Sequence, residues 1–334
     1  MTQLLRDSFG RVATDLRVSL TDRCNLRCDY CMPAEGLDWL AREELLTDDE
    51  IVRLIGLAVQ RLGIRTVRLT GGEPLLRRGL EPLVAAIAAL TPRPAIALTT
   101  NGIGLAARAE GLAAAGVDRI NISLDTLDPD LFQRITRRPR HADVLAGVAA
   151  ARAAGLDPVK INAVLLRGVN EHEAWPLLAW AMETGVQLRF IEQMPLDAQH
   201  GWRRSTMITA AEIRARLSEH VELVEDPADQ LARGSAPAEL FRVAGTEHRV
   251  GIIAAVSAPF CGACDRVRLT ADGQLRNCLF AREESDLRAP LRAGADDDAL
   301  VERWLAAVAT KRAGHGIDDP TFLQPDRPMS AIGG

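Results

Sequence analysis

A chain of 334 residues, 47% hydrophobic and 25% charged, is long and apolar enough to bury a large core as one large domain or two ordinary ones. Its net charge of −5, with both signs mixed along the chain, excludes the clustered basic stripe of a nucleic-acid-coating protein, so anionic ligands must be met by locally placed cations. The N-terminal stretch MTQLLRDSFGRVATDL is charged throughout and no run of about 18 apolar residues occurs, so a cytoplasmic protein that binds neither membrane nor nucleic acid is expected.

Over the first two hundred residues the pattern alternates strand and helix, which by the connection rules builds a parallel sheet with right-handed crossovers. Leu16 to Leu20 is the opening strand and feeds a loop bearing Cys24, Cys28 and Cys31. Thr47-Asp48-Asp49-Glu50 has the form of a capping box ahead of IVRLIGLAVQRLG, whose apolar residues recur at helical spacing. A strand TVRLT follows, then a helix from about Gly79 to Leu90, a strand AIALT, a helix across Leu105 to Ala115 and a strand RINISL. The alternation continues through a helix across Ala142 to Ala154, a strand VKINAVLL, a helix across Glu171 to Thr184 and a strand QLRFIE. Six such units are three quarters of an eight-unit barrel, a fold whose chemistry sits on loops at the carboxyl ends of the strands.

Beyond Pro195 the alternation stops. Residues 209–218 predict a short helix, and 226–237, rich in Ala, Asp and Gly, an exposed connection. HRVGIIAAV predicts a strand leading to Cys261 and Cys264, and RVRLTADGQLRNC a hairpin turning at Asp272-Gly273 that returns Cys278 to the CxxC. A helix is expected from about Asp296 to Ala313, before a Pro-rich tail ending Gly333-Gly334. The expected fold is therefore α/β: a partial (β/α)6 TIM-like barrel over residues 1–225, with a smaller α+β C-terminal domain, 226–334, closing its open side.

All six cysteines fall in two groups of three. In a reducing compartment clustered cysteines are metal ligands rather than disulfide partners, although buried thiols and a zinc site completed by a distant histidine both remain open. Zinc closes a tetrahedron with four ligands. A cubane cluster held by three cysteines keeps one iron free for another molecule.

Thr70-Gly71-Gly72-Glu73-Pro74, Thr99-Thr100-Asn101-Gly102, Ser123-Leu124-Asp125 and Glu192-Gln193-Met194-Pro195 all close predicted strands. Gly71 and Gly72 let backbone approach a ligand, but alone such a pair is ordinary turn chemistry. Arg17, Arg68, Lys160 and Arg189 lie within strands; period-two alternation puts Arg17 with Ser19 and Thr21, and Arg68 with Thr70. A buried cation needs an anion, whether Glu192 and Asp125 or a bound polyphosphate. Among 40 basic residues only Lys160 and Lys311 are lysines, so Lys160 marks a place that needs a compact ammonium. Arg266 and Arg268 share one face of the hairpin's first strand.

CxxxCxxC with an aromatic residue before its last cysteine resembles the signature of the radical S-adenosylmethionine enzymes. Joined in order to VRLTGGEPLLRR, TTNG, SLDTL, APFCGACDRVRLTADGQLRNCL and a terminal Gly-Gly, it resembles over nearly the full length one family, the GTP 3′,8-cyclases of molybdenum cofactor biosynthesis (MoaA). The resemblance implies a radical lyase that converts GTP to (8S)-3′,8-cyclo-7,8-dihydroguanosine 5′-triphosphate. A deoxyadenosyl radical removes hydrogen from the 3′ carbon of ribose, and that carbon joins carbon 8 of the base.

By the same resemblance Cys24, Cys28 and Cys31 would hold a 4Fe-4S cluster that cleaves S-adenosylmethionine, a cofactor contacted by Tyr30, Gly72, Ser123 and Met194. Cys261, Cys264 and Cys278 would hold a second 4Fe-4S cluster whose open iron binds guanine. Arg17, Arg68, Thr99, Lys160, Arg189, Arg266, Val267 and Arg268 would contact GTP, chiefly its triphosphate. Gly333 and Gly334 would reach into the active site, against the other reading of a frayed end. A low-potential electron donor, a homodimer and hand-off to cyclic pyranopterin monophosphate synthase are the implied partners. One departure stands out: where relatives often carry a lysine two residues before Arg68, this chain has Thr66, which leaves one phosphate contact in doubt. A peptide-modifying radical enzyme and a two-cluster electron carrier are the competing readings. The first commonly has more auxiliary cysteines, and the second leaves the open irons without a use.

Overall fold

Leu16 and Val18 alternate with Arg17 and Ser19 along β1 (Asp15–Ser19), so one face of the strand is apolar and the other polar. The same two-faced pattern recurs in β2 (Thr66–Thr70), β3 (Ala95–Thr100), β4 (Arg119–Ser123), β5 (Val159–Val164) and β6 (Gln187–Ile191). Val67, Leu69, Ile96, Leu98, Ile120, Ile122, Ile161, Leu188 and Phe190 are all fully buried under the helices. The computed structural model describes residues 3–225 and 227–333, so the expectation for Gly334 lies outside the described residues.

The crossover helices form for local reasons. Helix Asp48–Leu62 begins with the expected capping box: the Glu50 N–H donates to Thr47 Oγ1 (3.2 Å) and the Thr47 N–H to Glu50 Oε2 (2.8 Å). It ends at Gly63, whose φ of +79° a side chain would strain, and buries Ile51, Leu54, Ile55 and Leu62. Between β4 and β5 lies a helix that was not expected, Pro129–Thr136. Asp128 caps it by accepting from the N–H groups of Asp130 (2.8 Å) and Leu131 (3.2 Å), and Pro129 supplies the first turn.

After β6 the chain adds β7 (Leu223–Glu225), β8 (Glu239–Val243), β9 (Arg249–Ile253), β10 (Arg266–Leu269), β11 (Gln274–Arg276) and β12 (Ser285–Asp286). These strands join the same sheet, in the order β12-β11-β10-β1-β2-β3-β4-β5-β6-β9-β8-β7. β10 pairs parallel with β1 and β9 parallel with β6, so the parallel run has eight strands, two of them supplied from the C-terminal part. The predicted hairpin forms between β10 and β11. Because β9 and β10 are consecutive in sequence but lie at opposite edges of the parallel run, the segment between them must cross the opening. That segment carries Cys261 and Cys264. Residues 227–237, expected as connection, contain a short exposed helix, Pro227–Ala232. Among the described residues no helix is long and apolar enough to cross a membrane.

Candidate active site

The inward faces and strand ends surround one cavity of about 710 Å³, lined by all six cysteines. The first triad is seated by the glycine turn. The Gly72 N–H donates to the Thr21 carbonyl (2.7 Å) and the Glu73 N–H to that of Arg23 (2.8 Å). A Cβ on Gly72 would come within 2.5 Å of the Asp22 carbonyl, and one on Gly71, at φ +139°, would overlap the Thr21 carbonyl. The two glycines are thus required by the cysteine loop itself. Glu73, fully buried, accepts from Thr100 Oγ1 (2.6 Å) and the N–H groups of Asn101 (2.7 Å) and Leu75 (2.9 Å); burial nevertheless pushes its carboxyl up to about 7. Asn101 in turn donates to Asn25 Oδ1 (2.7 Å) and lies 3.8 Å from Cys24 Sγ.

Burial raises the thiol of Cys24 to about 11 and that of Cys31 to about 12, and drives Cys28 well above its ordinary range. A donor set of this kind becomes thiolate only when a metal displaces the protons, which fits a bound cluster. Among the described residues no three His, Cys, Asp or Glu side chains are spaced to share a single ion. A cubane does not ask them to, since each cysteine ligates its own iron.

Cys278, just beyond β11, stands close enough to Cys261 and Cys264 for the three thiols to act on one another. For Cys264 burial opposes ionisation, but the Lys311 ammonium and Arg266 guanidinium beside it bring the thiol below its usual range. His315 also lines the cavity, yet both ring nitrogens are engaged: Nε2 donates to the Ala255 carbonyl and Nδ1 accepts from the Ile317 N–H, each at 3.1 Å. It is therefore not free to be a fourth ligand.

Seven strand-borne cations face the cavity, Arg17, Arg68, Arg119, Lys160, Arg189, Arg266 and Arg268, and Arg233 lines it from the connection before β8. Register explains their grouping, since Arg17 lies between Arg68 and Arg268 on neighbouring strands, and Asn162 beside Arg189. Asn162 Oδ1 accepts from Arg189 Nε (3.0 Å) and Nη2 (2.7 Å), and Gly251 leaves room for the Arg189 stem, which a Cβ there would approach to 2.9 Å. Arg266 donates to the Ser235 carbonyl at 2.5 Å and stacks on Phe260. Among the described residues none of the seven makes a direct ion pair with a carboxylate, although Asp15 lines the same cavity and its charge favours the ionised Arg17 and Arg68. The two acids expected as partners are committed elsewhere: Glu192 accepts from the N–H groups of Ala210, Val256 and Ser257, and Asp125 from Tyr30 Oη (2.7 Å) and the Val164 N–H (2.8 Å). Burial holds Asp125 up at about 6. Burial, then neighbouring positive charge, lowers Arg17 well below its ordinary value and Lys160 to about 8. The Nε of Arg17 and both Nε and Nη1 of Arg68 are buried without a partner, so the cavity is built for an anion.

Tyr30, Gly72, Thr99, Ser123 and Met194 all line the cavity, and so does Thr66. Val267 does not: it alternates with Arg266 and Arg268, so its side chain points to the opposite face and is fully buried in the core. Arg119 is the residue the sequence reading passed over, although it alternates with Asn121 and Ser123 on the same face.

As far as Gly333 the tail is packed against the barrel strands. Helix Met329–Ile332 is held by the Met329 N–H donating to the Leu196 carbonyl (3.0 Å), and the Ser330 N–H reaches the sulfur of Cys31. Gly333, at φ +83°, packs so closely that a Cβ would overlap Ser19 Oγ and lie 2.7 Å from Thr70 Cγ2; its carbonyl accepts from Arg268. Upstream, Arg327 is clamped by Asp272 (2.7 and 3.0 Å) and Glu284 (2.9 Å).

Known proteins resemble this chain in sequence. The profile of the Radical SAM superfamily matches residues 18–181, and that of Molybdenum Cofactor Synthesis C matches residues 186–317. A GTP 3′,8-cyclase from Streptomyces coelicolor is 64% identical over 331 residues, covering 99% of this chain and 96% of that one. The GTP 3′,8-cyclase 2 of Mycobacterium tuberculosis (strain H37Rv) is 60% identical over 334 residues, covering 99% and 92%. Among solved structures, methylornithine synthase aligns at a TM-score of 0.46 and 16% identity over 62% of each chain. With radical and molybdenum-cofactor profiles on one chain and identity of this order over nearly its whole length, the protein belongs to the GTP 3′,8-cyclase family (MoaA).

Proposed function

We propose that the cavity binds S-adenosylmethionine and GTP together and that the protein acts as a radical lyase, converting GTP to (8S)-3′,8-cyclo-7,8-dihydroguanosine 5′-triphosphate in molybdenum cofactor biosynthesis. The observation that carries this reading is the convergence, on one cavity, of two cysteine triads and seven strand-borne cations that make no direct ion pair with a carboxylate among the described residues. Cys24, Cys28 and Cys31 would hold a cluster that, when bound, supplies the electron for cleavage of S-adenosylmethionine. Tyr30, Gly72, Ser123 and Met194 orient that cofactor. Cys261, Cys264 and Cys278 hold a second cluster against the guanine, and His315 is not available to close its open corner.

The strand-borne cations Arg17, Arg68, Lys160, Arg189, Arg266 and Arg268, with Thr99, take the triphosphate. Arg119 supplies the cationic contact that Thr66 leaves vacant: both line the cavity, and Arg119 is near enough to Arg68, Lys160 and Arg189 to act on each electrostatically. Gly333 closes over the substrate, with its carbonyl orienting Arg268, and a catalytic part for Gly334 belongs to the same reading. We read residues 1–225 as the cofactor-binding part and 226–334 as the part that carries the guanine end. A low-potential electron donor, a homodimer in the cytoplasm and product hand-off to cyclic pyranopterin monophosphate synthase belong to the same reading.

The test is incubation of the anaerobically loaded protein with GTP, dithionite and S-adenosylmethionine. Release of 5′-deoxyadenosine that depends on GTP is expected. Release without GTP, or only with a peptide, would refute the assignment.

A further inference from the structure

Of the chain's two lysines, Lys160 faces the anion site and Lys311 does not. Lys311 follows helix Asp297–Ala309, and its side chain is buried, with the residue 4% exposed. Its Nζ lies 2.8 Å from the Arg266 carbonyl, 3.2 Å from the Cys264 carbonyl and 3.4 Å from Cys264 Sγ. An ammonium has three donors and no acceptor, so these contacts use it completely. None of the three is a carboxylate, and among the described residues no acid pairs with Lys311. A buried cation left without a counter-charge costs several kcal/mol. The group in reach that could answer it is the Cys264 sulfur, which as a cluster ligand would be a thiolate.

The other sulfurs of this triad are treated differently. Cys261 receives the backbone N–H of His315, and Arg11 binds its carbonyl (2.7 Å) rather than its sulfur. Among the described residues, Cys264 alone of this triad has a side-chain donor on its sulfur. Hydrogen bonds and positive charge at ligand sulfurs favour the reduced, more negative form of a cluster.

We infer that Lys311 is a positioning residue for the second cluster, and that its ammonium on Cys264 Sγ holds that cluster's reduction potential up. This rests on the reading of Cys261, Cys264 and Cys278 as cluster ligands. The couple is a one-electron change with no proton transferred, the electron coming from an external low-potential reductant.

The test uses the full chain, reconstituted without oxygen, both unmodified and with Cys24, Cys28 and Cys31 replaced by alanine so that only the second site loads. About four irons per chain are expected in the replaced form. Their absence would overturn the cluster assignment itself, before Lys311 is in question. Lys311→Met, Lys311→Gln and Lys311→Arg are then made in that background and titrated with dithionite and mediators, following the reduced cluster by electron paramagnetic resonance.

Lys311→Met should lower the midpoint by about 59 mV or more, the shift of a tenfold change in a one-electron equilibrium. Lys311→Gln, which keeps an N–H donor without charge, should fall between, and Lys311→Arg should stay near the parent. If Lys311→Met does not load, Lys311→Gln carries the same comparison with the parent. An unmoved midpoint with iron retained, or an equal drop in Lys311→Arg, overturns the inference. So does loss of iron from all three variants, since Lys311 would then be holding the loop together.

Discussion

GTP binding should draw a proton from solution above pH 8, and Lys160 is the residue that takes it. In the free protein its ammonium is lowered from 10.5 to about 8, first by burial and then by the positive charge of Arg189, Arg119 and Arg68. A bound triphosphate cancels that repulsion and returns Lys160 toward its ordinary range. Below pH 8 the side chain is charged with or without GTP, so it adds no pH dependence. Above pH 8 the free form must first be protonated, and affinity falls by up to about tenfold per pH unit.

From that value the uptake on binding is about three quarters of a proton at pH 8.5 and about one tenth at pH 7. The phosphate of GTP does not interfere, because its last ionisation lies near pH ~6. Calorimetry of GTP binding in two buffers of different ionisation enthalpy, without S-adenosylmethionine or reductant, measures the uptake. Lys160→Arg keeps its charge throughout this range and should remove the Lys160 share of the uptake, leaving only what the lowered Arg17 and Arg189 guanidinium groups contribute. Uptake that is absent at pH 8.5, or that is undiminished in Lys160→Arg, would refute the electrostatic account of this cavity.

Protein prepared without oxygen should contain about eight irons per chain, falling to about four in Cys278→Ala; bound zinc, or four irons in the unmodified chain, would contradict the two-cluster arrangement. Arg119→Ala should weaken GTP about tenfold, as loss of a charge-assisted hydrogen bond predicts, and leave guanosine binding unchanged. Equal losses for both ligands would show that Arg119 does not meet phosphate. In Gly333→Ala the added methyl has no room beside Ser19 and Thr70; product formation should collapse while iron content is retained, and full turnover would mean the tail does not work from this seat. Arg327→Gln removes the clamp to Asp272 and Glu284, so carboxypeptidase should trim the tail faster than in the parent, and an unchanged rate would count against the clamp.

The inward cations were legible because period-two alternation is a local property: once β1, β2, β5 and β6 are recognised, Arg17, Arg68, Lys160 and Arg189 must share a face with the strand-end residues. The same rule, carried through, also yields Arg119 and removes Val267. The helix Pro129–Thr136 was signalled by Asp128-Pro129, but eight residues give too short a periodic stretch to stand out between longer helices.

Spacing within the chain determined the cysteine triads, the capped first helix and the hairpin at Asp272-Gly273, since each depends on residues a few positions apart. The tertiary structure alone decided which sheet edges β9 and β10 join, because every strand edge offers the same amide and carbonyl groups. It also decided that Gly333 is seated on Ser19 and that Lys311 meets Cys264 across 47 residues of chain. Those contacts arise only where distant segments are brought together, and no local pattern records where a chain will return.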